Sequence, residues 1–132
     1  MTAEKNGQTK IDIVNRMQEL FAQKQLDVLE SFFTEDAVYK PGTIAEIQGA
    51  NTFIDYAINV IYKTVTITGK NPINTWEVDN AVVVEYNMEI QHLDTGRRDR
   101  FPCIDIYEFQ GDKICEWRVY PLHPDMVTLR TI

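Results

Sequence analysis

The chain has 132 residues, a net charge of −7, 44% hydrophobic and 25% charged residues, and two cysteines. This is globular composition with length enough for one core, which excludes wholesale disorder. The acidic balance argues against nucleic acid as a partner, because such surfaces need clustered positive charge.

No apolar run approaches the roughly 20 residues of a membrane span, so no membrane partner is expected. The polar first ten residues lack the apolar region of a secretory signal. Cys103 and Cys115 make neither a disulfide framework nor a metal set. One cytoplasmic domain, residues 9–132, is expected behind a disordered leader, residues 1–8.

Ile11, Val14, Met17, Leu20 and Phe21 recur at helical spacing over residues 11–24, with Thr9 as a cap. A short helix is expected over 26–33 and a third over 51–62, the last carrying Phe53, Ile54, Ala57, Ile58 and Ile61. Between them, Thr34, Glu35 and Asp36 break the pattern, and residues 37–39 form a short strand stopped by Pro41. From residue 64 the period changes to two. Strands are expected over 64–68, 75–78, 81–91, 100–109 and 114–120, with turns at Asp94-Thr95-Gly96 and Gly111-Asp112-Lys113. Three helices followed by antiparallel strands imply an α+β fold, its helices packed on one face of a curved antiparallel sheet.

A two-residue turn at Thr95-Gly96 would set Tyr86 against Asp105, Met88 against Cys103, Ile90 against Phe101 and His92 against Asp99. All the apolar members then share one face, which a one-residue slip would destroy. Asp105 falls in the inward series Phe101, Cys103, Asp105, Tyr107, Phe109, so a carboxyl enters an apolar interior. In the last hairpin, a three-residue turn places Val119 opposite Asp105 and a two-residue turn places Arg118 there. The first is preferred because Trp117 and Val119 suit a core. Burial raises a carboxyl's pKa and favours the neutral, donating form. Two readings of Asp105 stand: a satisfied hydrogen bond with Tyr86, or a pair of donors that polarise a carbonyl oxygen.

The stretches 32–39, 104–109 and 111–120, in the order helices then curved sheet, resemble the nuclear transport factor 2-like superfamily over residues 10–122. That group includes ketosteroid isomerases, SnoaL-like polyketide cyclases, limonene epoxide hydrolases and non-enzymatic members. The resemblance implies a cone-shaped sheet with three N-terminal helices on its concave face, and a homodimer through the outer sheet face. Asp105 matches the protonated aspartate of ketosteroid isomerases, a worked case of a carboxylic acid kept neutral by an apolar site. The family's helix-1 tyrosine and general-base aspartate fall on Met17 and Pro41. The Arg and Asp positions of epoxide hydrolases fall on Tyr86, Met88 and Val119, and the last-strand aspartate of the cyclases again on Val119. Both the classical steroid isomerase mechanism and that epoxide chemistry are disfavoured.

The candidate catalytic residues are Asp105, Tyr86, Tyr39 and His92. Tyr39 is either a proton donor or a core aromatic. His92 is a neutral-pH base or a surface partner of Asp99. The expected substrate-contacting wall is Met17, Phe21, Ile58, Ile61, Tyr62, Met88, Phe101, Cys103, Tyr107, Trp117 and Val119. His123 is read as a surface loop, and Arg97, Arg98 and Arg100 as a solvated face. Apolar walls with few polar groups suit a hydrophobic ligand with a carbonyl or hydroxyl handle. The expected chemistry is isomerisation, cyclisation or dehydration without a cofactor or metal. The alternative is a non-catalytic binding or assembly module.

Overall fold

The computed structural model describes residues 9–41 and 46–122. The expected leader and His123 lie outside them. Helix α1 spans Lys10–Ala22. Its start is fixed by a capping box: Asp12 N–H donates to Thr9 Oγ1 and Thr9 N–H to Asp12 Oδ2, both at 3.1 Å, satisfying donors the first turn would leave orphaned. Its apolar stripe Ile13, Val14, Met17, Leu20 and Phe21 is buried. The second helix is a 3₁₀ segment, Leu26–Phe32. Strand β1, Phe33–Lys40, begins earlier than expected and runs through Thr34, Glu35 and Asp36, with an irregular register between Phe33 and Val38. Strand β2 is Ile47–Gln48. Helix α2, Ala50–Tyr56, continues through a π-turn at Ala57–Ile61 into α3, Tyr62–Thr64.

Strands β3 (Val65–Val78), β4 (Ala81–His92), β5 (Arg98–Gln110) and β6 (Lys113–Pro121) complete one six-stranded sheet in the order β2-β1-β6-β5-β4-β3. The sheet is mixed rather than wholly antiparallel, because β1 runs parallel to β6. Helices α2 and α3 carry the chain from β2 at one edge of the sheet to β3 at the other. Two expected strands are one: β3 carries on through Gly69 and Pro72, with register shifts between Ile67 and Gly69 and between Pro72 and Asn74. Pro72 is tolerated because β3 is an edge strand and needs no amide donor on its open side. Asp79, at φ 54°, supplies the left-handed residue of the turn into β4, a conformation Asp tolerates better than most residues.

Three bulges or turns decide which side chains face the helices. The β4–β5 loop is longer than two residues, so Val84 lies opposite Asp105, Tyr86 opposite Cys103 and Met88 opposite Phe101. This differs from the expected pairing by two residues, an even shift that keeps every face. In β5–β6, Gln110 pairs with Lys113 across a two-residue turn, while Asp105 still pairs with Val119. A bulge between the two regions, at Cys115, reconciles them. Without it Arg118 would stand opposite Asp105; with it Arg118 faces outward and pairs with Glu108 and Glu116.

The core gathers α1, α2 and the concave sheet face around Met17, Leu29, Phe53, Val82, Tyr107 and Ile114, each at most 2% exposed. Trp117 lies at its centre, with Tyr39, Tyr107 and Phe21 ring centroids 4.9, 5.3 and 5.8 Å away. Edge and offset contacts of this kind add to the area they bury.

Candidate active site

A cavity of about 350 Å³ opens between the helices and the concave sheet face. Its walls are almost wholly apolar: Phe21, Val60, Ile61, Ile67, Met88, Ile90, Phe101, Trp117 and Val119. Into it come a few polar groups: Asp105, Tyr86, Tyr39, His92 and Lys70.

Asp105 is 1% exposed, the only charged or polar residue type among the buried described residues apart from tyrosines and a cysteine. Tyr86 Oη donates to its Oδ1 at 2.9 Å, and Tyr107 Oη and Trp117 Nε1 donate to its Oδ2 at 2.8 and 3.1 Å. Cys103 Sγ approaches Oδ1 at 3.7 Å. Indole N–H can only donate, and the Tyr107 hydroxyl already takes a hydrogen bond from Gln18 Nε2. The geometry therefore presents Asp105 as an acceptor rather than the donor its burial suggests. Tyr86 reaches it diagonally rather than from the directly opposite position.

Burial pushes the Asp105 carboxyl above the ordinary carboxylate range, while Lys70, Tyr107, Trp117 and Tyr86 pull it back. The same burial, with the Asp105 charge, holds the Tyr39, Tyr86 and Tyr107 hydroxyls well above the usual phenol range, and pushes the Cys103 thiol up to about 12. All four stay protonated near neutrality, and Cys103 is no nucleophile there.

Tyr39 is 7% exposed, lines the cavity, and its hydroxyl has no hydrogen-bond partner among the described residues. His92 lies on the same wall, but its Nε2 is held by Asp99 Oδ2 at 2.8 Å and Arg97 Nη2 at 3.2 Å. Asp99 and Asp105 lie six residues apart on β5, roughly 20 Å along an extended strand. His92 thus serves the opposite end of the cavity from Asp105.

Of the expected wall, Phe21, Ile61, Met88, Phe101, Cys103, Trp117 and Val119 line this cavity. Four residues do not. Met17 is fully buried in the core beneath α1, and Ile58 turns outward at 41% exposure. Tyr62 is tied by its hydroxyl to Phe21 O at 2.9 Å, its pKa raised by burial to about 12. Tyr107 lies behind the Asp105 carboxyl, on the wall of a second chamber of about 320 Å³ between α1 and β3–β4.

Sequence reasoning missed Lys70. Strict alternation from Val65 and Ile67 would place it outside, but the bulge at Thr68-Gly69 turns it inward, opposite Met88. A glycine inside a strand is the signal that could have shown this, since it often marks a bulge. Lys70 lines both chambers. Its Nζ lies 5.2 Å from the Phe21 ring centroid and 6.0 Å from that of Tyr86. Burial draws its ammonium below the usual lysine range, against the opposing pull of Asp105.

A SnoaL-like domain model matches residues 14–117. The chain belongs to the SnoaL-like family. Among solved structures, a candidate isomerase from Bacillus subtilis is 18% identical, with 94% of this chain and 96% of that one covered and a TM-score of 0.75. A Catenulispora acidiphila protein with a ketosteroid isomerase-like fold, in complex with trimethylamine, is 11% identical, with 92% and 93% covered and a TM-score of 0.77. A limonene epoxide hydrolase-like enzyme from Mycobacterium tuberculosis is 17% identical, with 92% and 89% covered and a TM-score of 0.74. None of the curated proteins matches. At these identities the structural likeness shows the shared fold, and one fold of this kind hosts many chemistries. No helix among the described residues is long and apolar enough to cross a membrane.

Proposed function

We propose that this SnoaL-like domain catalyses an acid–base rearrangement (isomerisation, cyclisation or dehydration) of a hydrophobic small molecule carrying a carbonyl or hydroxyl group. The observation that carries this reading is the pairing, in one apolar cavity, of an unpartnered tyrosine hydroxyl, Tyr39, with a buried carboxyl, Asp105. The Tyr39 hydroxyl faces the cavity, where a ligand oxygen can accept its hydrogen bond. Asp105 Oδ2 is filled by Tyr107 and Trp117, whereas among the described residues Oδ1 meets only Tyr86 and the weak thiol donor. Oδ1 is therefore where a proton arrives.

In the isomerisation form, Oδ1 takes a proton from the carbon beside the carbonyl. The electron pair of that C–H bond moves to give an enolate, whose oxygen Tyr39 hydrogen-bonds. Asp105 then returns the proton at a new carbon. A carboxyl lifted by burial is better matched to this exchange near neutrality than an ordinary one. Tyr39 rather than His92 is the donor, because His92 lies at the far end. No step calls for a cofactor.

The test is turnover of a panel of hydrophobic ketones and hydroxyketones, followed by mass spectrometry, with wild type, Asp105→Asn and Tyr39→Phe. Product formed by the wild type and lost about 100-fold or more in Asp105→Asn supports the reading; equal turnover sinks it. A second reading, ligand binding without chemistry, is favoured by Pro41 and Val119, which line the cavity without supplying an acid. A compound that raises the melting temperature yet is recovered unchanged identifies that case.

We further propose that two copies pair through the outer sheet face, where Trp76 and Tyr120 are 46% and 37% exposed. Sedimentation velocity showing a monomer at micromolar concentration would remove this proposal.

A further inference from the structure

Lys70 and Asp105 form no ion pair among the described residues, yet a continuous hydrogen-bonded chain joins them. Lys70 Nζ donates to Gln18 Oε1 at 2.6 Å, Gln18 Nε2 donates to Tyr107 Oη, and Tyr107 Oη donates to Asp105 Oδ2 at 2.8 Å. Every donor points the same way, from the cation to the carboxyl. The partners fix the Gln18 amide: an ammonium can only donate to its oxygen, so its nitrogen faces the tyrosine.

We propose that Lys70, acting through Gln18 and Tyr107, is a positioning residue that sets the proton affinity of Asp105 from the second chamber. The inference rests on the acid–base reading above for its purpose, though not for its test. The chain transmits polarity rather than protons. A hydroxyl can pass a proton on, but an amide is a poor relay, so Gln18 interrupts conduction while still aligning its dipole. Chains of this kind polarise one another in a low-dielectric interior. Lys70 makes the Gln18 N–H a stronger donor, Gln18 makes the Tyr107 O–H a stronger donor, and the carboxylate gains at the end.

The other groups facing Asp105 among the described residues are neutral. They are Tyr39 from β1, Tyr86 from β4, Cys103 and Tyr107 from β5, and Trp117 from β6. His92, Asp99 and Arg97 cluster with one another at the far end of the hairpin. Lys70 is thus the one cation among the described residues that acts on this carboxyl. The bulge at Gly69 that turns it inward has a consequence for chemistry, since it adds a charge without filling the larger cavity with a salt bridge.

The experiment is a ¹³Cγ NMR titration of Asp105 in the full chain, its signal assigned by Asp105→Asn, with no substrate required. In Lys70→Met the midpoint should rise by about one pH unit, a tenfold gain in proton affinity, as loss of a nearby opposite charge implies. In Gln18→Leu, which keeps the lysine, it should rise by a smaller amount in the same direction. Lys70→Arg should restore the wild-type midpoint. Unchanged midpoints in Lys70→Met and Gln18→Leu overturn the proposal, and a change in Lys70→Met alone overturns the chain as the route. Should Lys70→Met not fold, Gln18→Leu decides by itself: a raised midpoint supports the relay and an unmoved one ends it. Because no outcome depends on turnover, failure of the catalytic reading leaves these results separately legible.

Discussion

Asp99 and Asp105 lie on one strand and one face of it, and they differ in almost everything else. Asp99 is near the hairpin end, its side chain 22% exposed, bonded to His92 and Arg97. Asp105 is 1% exposed, bonded to Tyr86, Tyr107 and Trp117, and the one nearby cation among the described residues, Lys70, is three hydrogen bonds away. At the rim, an imidazole and an exposed guanidinium sit against the carboxylate. In the interior, fixed neutral donors must do so, and they are arranged before any ligand arrives. Residue type is therefore a poor guide to function here, while depth and the kind of partner are good ones.

Substitution at the two sites should separate them. Asp105→Asn is expected to lower turnover by about 100-fold or more, the scale of general acid–base catalysis, and Asp99→Asn by less than about tenfold. Equal losses in steady-state assays would erase the distinction between floor and rim. On stability, Tyr107→Phe removes a hydroxyl that both accepts from Gln18 and donates to Asp105, and should cost about 1–3 kcal/mol in urea unfolding. Arg97→Ala removes an exposed pairing and should cost less than about 1 kcal/mol.

The pH dependence has a definite sign. The Asp105 pKa is raised on folding above its ordinary value of 3.8, so the folded state binds the proton more tightly than the unfolded one. Its contribution to stability is full below 3.8 and lost as pH rises through the native value. Wild type minus Asp105→Asn stability, measured by urea unfolding across this range, should fall with rising pH; a rising difference would reverse the assignment. The smallest effect is expected for Tyr39→Phe, which removes a hydroxyl with no partner among the described residues and should change stability by no more than about 0.5 kcal/mol. A larger loss would mean that the hydroxyl supports the fold instead of awaiting a ligand.

Much of the concave face was readable from alternation alone. Phe101, Cys103, Asp105, Tyr107 and Phe109 share a side whatever the turn length, because an even register error leaves faces unchanged. The change of period from helical to two carried the helix order and the sheet, and the resemblance added its cone shape. The β3–β4 hairpin was not read, although Asp79-Asn80 offers the left-handed turn residue it needs. The helix-borne wall was less legible. Ile58 and Ile61 fit one apolar pattern, yet the π-turn at Ala57–Ile61 sends Ile58 out to solvent while Ile61 reaches the cavity.

The amino-acid order by itself determined that a carboxyl enters an apolar interior, since side chains two apart on a strand cannot avoid sharing a face. Which charges join it there was decided by tertiary structure. One unpaired residue at Thr68-Gly69 swings Lys70 inward, and another at Cys115 keeps Arg118 outside. A bulge reverses the parity of everything beyond it, and whether one forms depends on how two strands pair, information that neither strand carries alone.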